Sequence, residues 1–408
     1  MSNNISTAGN FSSSVTEMMS QNTVQNGTMC YLNYCGEQLD GIREEMENYI
    51  KPAWYEWIVI IIYIITFIVG LTGNVLVCFA VWRNRQMRTV TNMFIVNLSV
   101  ADLGIIIICL PPTLLVDVTE TWFMGLVMCK LVYFLMTVSI SVSVLTLAAI
   151  AVERWYAICR PLAFKSTRKR ARIMIIVIWL VSGCLALPDI LFMQLDSLVP
   201  DFVSSLLISC RPGWDQDKQT FYQVALIVLL YFLPMIFIGF AYIQIAFVLW
   251  KGDIPGESKM RTVTASSRPM MDSKKMNIAN DQLAARRKAA QMLISVVVAF
   301  AVCYFPVHLL NILRYAGVHK SIPDNGFRAY NYIAHWLPYL NSSTNPIIYN
   351  FMSAKFRKEF FLACRCSYRI TERHSSRPGM TFSSTHYSNH EGQRHSCHTE
   401  QISLTTVR

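Results

Sequence analysis

The stretch CKLVYFLMTVSISVSVLTLAAIAVERWYAICRP, residues 129–161, decides the fold. Its middle, residues 131–152, runs for 22 positions without a charge, and about 20 helical residues suffice to cross the ~30 Å hydrocarbon core of a bilayer. The run is a membrane span with something attached at each end. Cys129 at one mouth is available for a bond to another loop. At the other mouth Glu153 and Arg154 are adjacent opposite charges that can neutralise each other. An interior crossing that couples two compartments is the expectation.

The composition agrees. Of 408 residues, 53% are hydrophobic and only 15% charged, too apolar for an ordinary soluble domain. The formal charge of +11 does not imply a nucleic-acid partner, which would require basic residues massed on a soluble face. Here they fall between apolar runs and report topology instead. The 12 cysteines show no metal-site spacing; Cys78, Cys109, Cys159, Cys184 and Cys303 lie inside apolar runs, where a thiol behaves as a small hydrophobe. Residues 1–48 lack the basic start and apolar core of a cleaved signal peptide, so the first span is expected to direct insertion itself.

Seven runs qualify as spans: residues 57–82, 93–116, 126–158, 173–195, 221–250, 286–315 and 327–351. Lipid offers no partner for backbone amides, so each is a helix. The expected fold is an all-α membrane protein, a seven-transmembrane-helix bundle with a short amphipathic helix after the seventh span. The fourth run is interrupted by Asp189, which is expected to face a watered cavity. Arg83, Arg85 and Arg88 follow span 1, Lys165, Arg168, Lys169, Arg170 and Arg172 follow span 3, and a basic connector follows span 5. The positive-inside rule places these loops in the cytosol. That puts the N-terminus outside a plasma membrane and the C-terminus inside.

Four regions result. Residues 1–56 form an extracellular tail, structureless in its leader, with glycosylation sequons at Asn4, Asn10 and Asn26. A short amphipathic helix sets Ile42, Met46, Tyr49 and Ile50 opposite Glu44, Glu45 and Glu47. Cys30 and Cys35 either pair or stay free. Residues 57–351 form the membrane bundle. Residues 352–366 form a helix on the inner leaflet, with Phe356, Phe360 and Phe361 facing lipid and Cys364 and Cys366 as palmitoylation candidates. Residues 367–408 are a polar, disordered cytoplasmic tail.

Polar residues inside the spans mark sites. Asp102 is costly in mid-span unless protonated or paired with a cation, and Ser143, Asn341, Ser342 and Asn345 lie at comparable depth. Together they suit a small cation such as sodium or a water network; a polar packing cluster is the alternative. Pro234, Pro306 and Pro346 each remove an amide proton and kink a helix. Phe300 and Tyr304 precede one kink, and Tyr349 lies just past another. Tyr304, His308 and Asn311 share a face of span 6, and His335 and Tyr339 lie four apart on span 7. These imply a hydrated pocket open to the outside.

Gly73-Asn74, the run Leu98-Ser99-Val100-Ala101-Asp102, Cys129 with Cys210, Glu153-Arg154-Trp155, Trp179, Pro234 with Tyr242, Cys303-Tyr304-Phe305-Pro306 and Asn345-Pro346-Ile347-Ile348-Tyr349 resemble the rhodopsin-like (class A) G-protein-coupled receptors. The resemblance covers about residues 57–366. Within that family, residues 73–82, 87–98, 116–123, 138–147, 154–161 and 345–351 are similar to orexin and allatotropin neuropeptide receptors, as is the acidic segment 44–57.

The resemblance implies a disulfide between Cys129 and Cys210. It implies that Arg154 holds the inactive state through Glu153 and then meets the G protein, with Tyr242, Phe300, Pro306, Pro346 and Tyr349 as further activation switches. Asp102, Ser143, Asn341 and Asn345 would hold an allosteric sodium ion, with no other cofactor. Met136, Thr137, Gln223, Tyr304, His308, Asn311, His335 and Tyr339 would line a peptide pocket, with Asp189 in its wall and Asp117, Trp214 and Arg314 near its rim. Implied partners are an extracellular neuropeptide, a heterotrimeric G protein of the Gq class, arrestin and receptor kinases at the tail, and membrane lipids. Met136 and Asp189 stand where orexin receptors carry glutamine, and His308 where they carry a small residue. These departures favour an allatotropin-type ligand over orexin, and Asp189 suggests a basic group on it.

Rival classes lack their chemistry. A retinal-binding opsin needs a lysine in span 7, and residues 329–354 contain none. No internal symmetry of the transporter kind is present. Neither His-Glu-x-x-His nor Gly-x-Ser-x-Gly occurs, so the chain is not expected to be an enzyme.

Overall fold

The computed structural model describes residues 22–25, 28–31, 34–35, 51–160, 167–197, 207–251, 269–315 and 324–375. The chain divides into two units, Met1–Ala363 and Cys364–Arg408. The bundle belongs to the first. The amphipathic segment expected at residues 42–50 and the sequons at Asn4, Asn10 and Asn26 lie outside the described residues.

Among the described residues, seven long helices form the bundle: α1 (Glu56–Arg83), α2 (Val90–Thr119), α3 (Gly125–Cys159), α4 (Arg168–Phe192), α5 (Gln216–Leu249), α6 (Pro269–Tyr315) and α7 (Asp324–Met352). Among the described residues, the first six contain stretches long and apolar enough to cross a membrane. The seventh has the length but buries Asn341, Ser342, Ser343 and Asn345, so its apolar character is confined to part of its surface. A further helix, α8 (Ala354–Ser375), runs past the expected end at Cys366.

α1 shows how lipid sorts the faces. Tyr63, Thr66, Gly70, Asn74, Val77 and Val81 recur every three or four residues and are buried against the bundle. Ile58, Ile61, Ile65 and Ile68 are exposed, which in a bilayer means they face acyl chains. Small residues let helices approach closely. A Cβ added at Gly70 would stand 2.4 Å from Ile106 Cδ1 and 2.6 Å from Ser343 Oγ, so α1 meets α2 and α7 there only because no side chain intervenes.

Caps and prolines set the local geometry. The Thr89 hydroxyl accepts the Asn92 amide at 3.3 Å to open α2, and Thr167 accepts Arg170 at 3.4 Å to open α4, satisfying amides a helix leaves unpaired. Wide π turns at Ile105–Cys109 and Val228–Phe232 directly precede Leu110-Pro111-Pro112 and Leu233-Pro234. A proline ring crowds the preceding turn, and a locally widened turn relieves it. Pro306 and Pro346 sit inside continuous helices.

Several expectations are corrected. The fourth span does not extend to residue 195: α4 passes through Asp189 and ends at Phe192. Met193–Ser197 then forms β4, antiparallel to β5 (Ile208–Pro212), with Leu195 opposite Cys210. These amides pair across a hairpin instead of along a helix. The leader is not structureless throughout, since β1 (Asn22–Gln25), β2 (Thr28–Tyr31) and β3 (Tyr34–Cys35) form an antiparallel sheet that sets Cys30 opposite Cys35. α6 also begins at Pro269, well before the expected residue 286.

The buried core has two parts. One gathers Val81, Phe94, Leu98, Ile150, Tyr242, Phe300, Tyr349 and Phe356. The other gathers Tyr63, Ile106, Trp122, Cys129, Val132, Met193 and Tyr339. The hairpin closes over the second. Cys129 is bonded to Cys210 with 5.8 Å between Cα atoms, and the Trp122 amide donates to the Ile208 carbonyl at 2.7 Å.

Candidate functional site

A cavity of about 430 Å³ opens between the helices beneath the β4–β5 hairpin. It receives Asp117 from α2, Met136 and Thr137 from α3, Asp189 from α4, Gln223 from α5, Tyr304, His308, Asn311 and Arg314 from α6, and His335 and Tyr339 from α7. Trp214 enters from the segment after β5. Every residue proposed from the sequence as a pocket contact therefore lines one cavity, although the residues span positions 117 to 339.

Its floor is aromatic. The Tyr304 ring stacks on Phe300 at 4.3 Å, and His308 packs against Tyr231 at 4.7 Å. The Tyr339 hydroxyl meets the Thr113 hydroxyl at 2.7 Å. On the other side, Phe192 and Trp214 stack at 4.5 Å, and Trp214 meets Tyr222 at 5.3 Å. The Trp214 Nε1 and His308 Nδ1 atoms are buried without a hydrogen-bond partner in the structure.

Toward the mouth, two tiers of polar contacts join α1, α2 and α7. In the deeper tier, Asp117 accepts the Tyr63 hydroxyl at 2.8 Å and meets His335 Nδ1 at 2.7 Å. In the outer tier, Arg328 reaches Glu120 at 2.9 Å and Glu56 at 3.4 Å, while Tyr332 donates to Glu56 at 2.7 Å. Glu56 and Tyr63 are seven residues apart, as are Arg328 and His335, so each helix presents one partner per tier on the same face. Outside the spans, Lys218 donates to Asp215 at 2.7 Å and holds its carboxyl below the usual carboxylate range. That pair is fully exposed and counts for little.

Asp102 is buried and takes hydrogen bonds from Asn345 at 2.9 Å and from Ser342. Asn341 is also buried, and its Oδ1, like that of Asn345, has no hydrogen-bond partner. Ser143 is buried on α3, yet it makes no hydrogen bond to Asp102. The structure thus joins Asp102 to α7 through Asn345 and Ser342, and the unpartnered amide oxygen of Asn345 is of the hard kind that suits a small cation.

At the inner end, Arg154 pairs with Glu153 at 3.6 Å, and Glu153 also accepts the Thr91 hydroxyl at 3.1 Å. This ties α3 to α2. The Tyr242 hydroxyl on α5 is buried without a hydrogen-bond partner, and Tyr349 stacks on Phe356 of α8 at 5.6 Å. Asn84, just past α1, donates to Glu359 on α8 at 2.9 Å. Cys364 and Cys366 lie further along that helix.

Glu56, Tyr63, Glu120, Tyr222, Arg328 and Tyr332 were not singled out in the sequence. An acid opening span 1 and a base opening span 7, each followed seven residues later by a polar ring, was the signal available for the two tiers.

Residues 73–349 match the family model described as 7 transmembrane receptor (rhodopsin family). The chain is 34% identical over 314 residues to the QRFP-like peptide receptor of Branchiostoma floridae, an alignment covering 76% of this chain and 78% of that one. It is 28% identical over 364 residues to the substance-P receptor of Cavia porcellus, covering 89% and 84%.

Proposed function

Because the chain belongs to the rhodopsin family of seven-transmembrane receptors, a family of receptors and not of enzymes, we propose that it is the cell-surface receptor for an extracellular neuropeptide and relays binding to a heterotrimeric G protein. The observation that carries this is the cavity with aromatic floor and polar rim beneath the hairpin, set in the same bundle as the Glu153–Arg154 pair at the opposite end. Two relatives named for peptide ligands support a peptide over an amine or lipid. The positive-inside pattern supports an outside N-terminus.

The mechanism is a two-state equilibrium biased by a ligand that binds one state better. Peptide enters among α3, α5, α6 and α7 and contacts Tyr304, stacked on Phe300. Displacement of that pair moves α6 about Pro306. Glu153 then releases Arg154, and Arg154, Tyr242 and Tyr349 rearrange around the opening that receives the G protein. A hundredfold preference of peptide for the active state supplies about 2.7 kcal/mol, enough to change signalling output.

A sodium ion fits the polar core. Asp102, Asn341 and Asn345 would hold it with Ser143, and its charge would stabilise the ionised Asp102 within the bundle. The finer ligand identity is of the orexin/allatotropin type by the stretches they share with this chain; the relative named for a QRFP-like peptide favours that peptide class as a second candidate. Coupling is to Gq with calcium mobilisation, with arrestin and receptor kinases acting on the tail, glycans at Asn4, Asn10 and Asn26, and acyl chains at Cys364 and Cys366. The test is calcium release in transfected cells challenged with amidated orexin-, allatotropin- and QRFP-type peptides beside amine and lipid agonists. A response to one peptide class is expected; responses confined to amines or lipids would overturn the proposal.

A further inference from the structure

The cavity is lined by three carboxylates, and two of them already have nitrogen-bearing partners from the protein itself. Asp117 faces His335 and Glu120 faces Arg328. Asp189 differs. It is only 7% exposed, and none of the ion pairs among the described residues includes it. Its hydrogen bonds come from the hydroxyls of Thr137 and Tyr222. Even the second is shared, because Tyr222 has one proton, lies 3.0 Å from the Leu185 carbonyl and is 3.4 Å from the Asp189 carboxylate. A buried charge is retained only when something compensates it, and hydroxyl donors do so incompletely.

A chain of aromatic rings leads from the same carboxylate, beginning with Tyr222 in contact with it. Phe192 follows Asp189 by one helical turn on α4, Trp214 stacks on Phe192, and Tyr222 meets Trp214. All four residues line the cavity. Ring faces carry negative potential that attracts a cation, so carboxylate and rings favour the same kind of group. Trp214 Nε1, buried without a partner, leaves a donor for a neighbouring carbonyl.

We propose that Asp189, Phe192, Trp214 and Tyr222 form a subsite for a cationic group, guanidinium or ammonium, of the ligand, and that Asp189 sets the receptor's preference for basic ligands. It rests on the peptide-receptor reading and names the chemistry of one part of that pocket. Asp117 is engaged by Tyr63 and His335, and Glu120 by Arg328, so the charge preference is localised between α4 and α5.

The test uses the full chain in lipid nanodiscs and three fluorescent probes: the β-naphthylamides of N-acetyl-arginine, N-acetyl-lysine and the neutral isostere N-acetyl-citrulline. The wild-type receptor should bind at least one cationic probe about tenfold more tightly than citrulline, a difference of about 1.4 kcal/mol. Asp189→Asn should bring that ratio close to one without weakening the citrulline probe, and Trp214→Leu should reduce it by about threefold. A wild-type ratio near one for both cationic probes, as a neutral Asp189 carboxyl would give, overturns the subsite whether or not Asp189→Asn folds. Nucleotide exchange on a purified G protein in the same nanodiscs separates the two failures. A receptor that catalyses exchange yet shows no charge preference refutes the subsite alone.

Discussion

Replacing Arg328 by Met should destabilise the outer end of the bundle through Glu56. The Glu56 side chain is 3% exposed and the Arg328 side chain 29%. Removing the guanidinium leaves that carboxylate with only the Ala53 amide at 2.8 Å and the Tyr332 hydroxyl at 2.7 Å. Breaking a buried pair from one side costs ~3–5 kcal/mol. Two neutral donors remain and solvent reaches the arginine, so the lower edge, about 3 kcal/mol, is expected. At ~1–2 °C per kcal/mol for a chain of this size this lowers the apparent midpoint by roughly 3–6 °C. The assay is a thermal ramp on receptor in nanodiscs with a thiol-reactive dye, which reads exposure of the buried Cys109. The ramp rate must be fixed, because such unfolding is commonly irreversible. Glu120→Gln removes only the more exposed partner and should cost less than about 1 kcal/mol. The double variant Glu56→Gln/Arg328→Met should recover at least half of the loss, since it leaves no unpaired charge. If Arg328→Met falls no further than Glu120→Gln, or the double variant is worse than the single one, the reasoning about Glu56 fails.

Further outcomes follow from other contacts. Cys210→Ala frees the hairpin from α3 and should abolish peptide binding at the cell surface; saturation binding on intact cells checks it, and retained affinity would mean the pocket does not need the tether. Asp102→Asn should erase any sodium dependence of agonist affinity, measured by competition binding in sodium against N-methylglucamine buffers, and an undiminished sodium effect would remove Asp102 from the cation site. Gly70→Val places atoms where Ile106 and Ser343 already stand and should sharply reduce folded receptor, read by surface labelling against Gly183→Val, where a Cβ meets nothing. Thr91→Val removes one hydrogen bond from Glu153, weakening the Glu153 restraint by about 1 kcal/mol, and should raise agonist-free inositol phosphate severalfold; unchanged basal output would detach that bond from the resting state.

Much of this was legible in the chain because lipid imposes simple rules. The charge-free run at residues 131–152 had to be helix, and the polar residues of α6 and α7 had to face inward; helical spacing alone grouped Tyr304, His308 and Asn311. The end of α4 was not legible. Met193 and Leu195 are apolar enough to continue a span, and only pairing with a strand more than ten residues further on turns them into β4. The Glu56–Arg328 contact was only half legible: the spacing on each helix could be read, but the two lie far apart in the sequence and only the closeness of α1 and α7, permitted by Gly70 and Gly73, brings them together.

The claim on which all of this depends is that Arg154 sits at the output of a bistable bundle. Its most direct test is GTPγS uptake by purified Gq heterotrimer with the receptor in nanodiscs and no agonist. Exchange should exceed that of G protein alone, rise further with Glu153→Gln, and fall to the unassisted rate with Arg154→Ala. Identical rates for G protein alone, wild type and both variants would contradict the account.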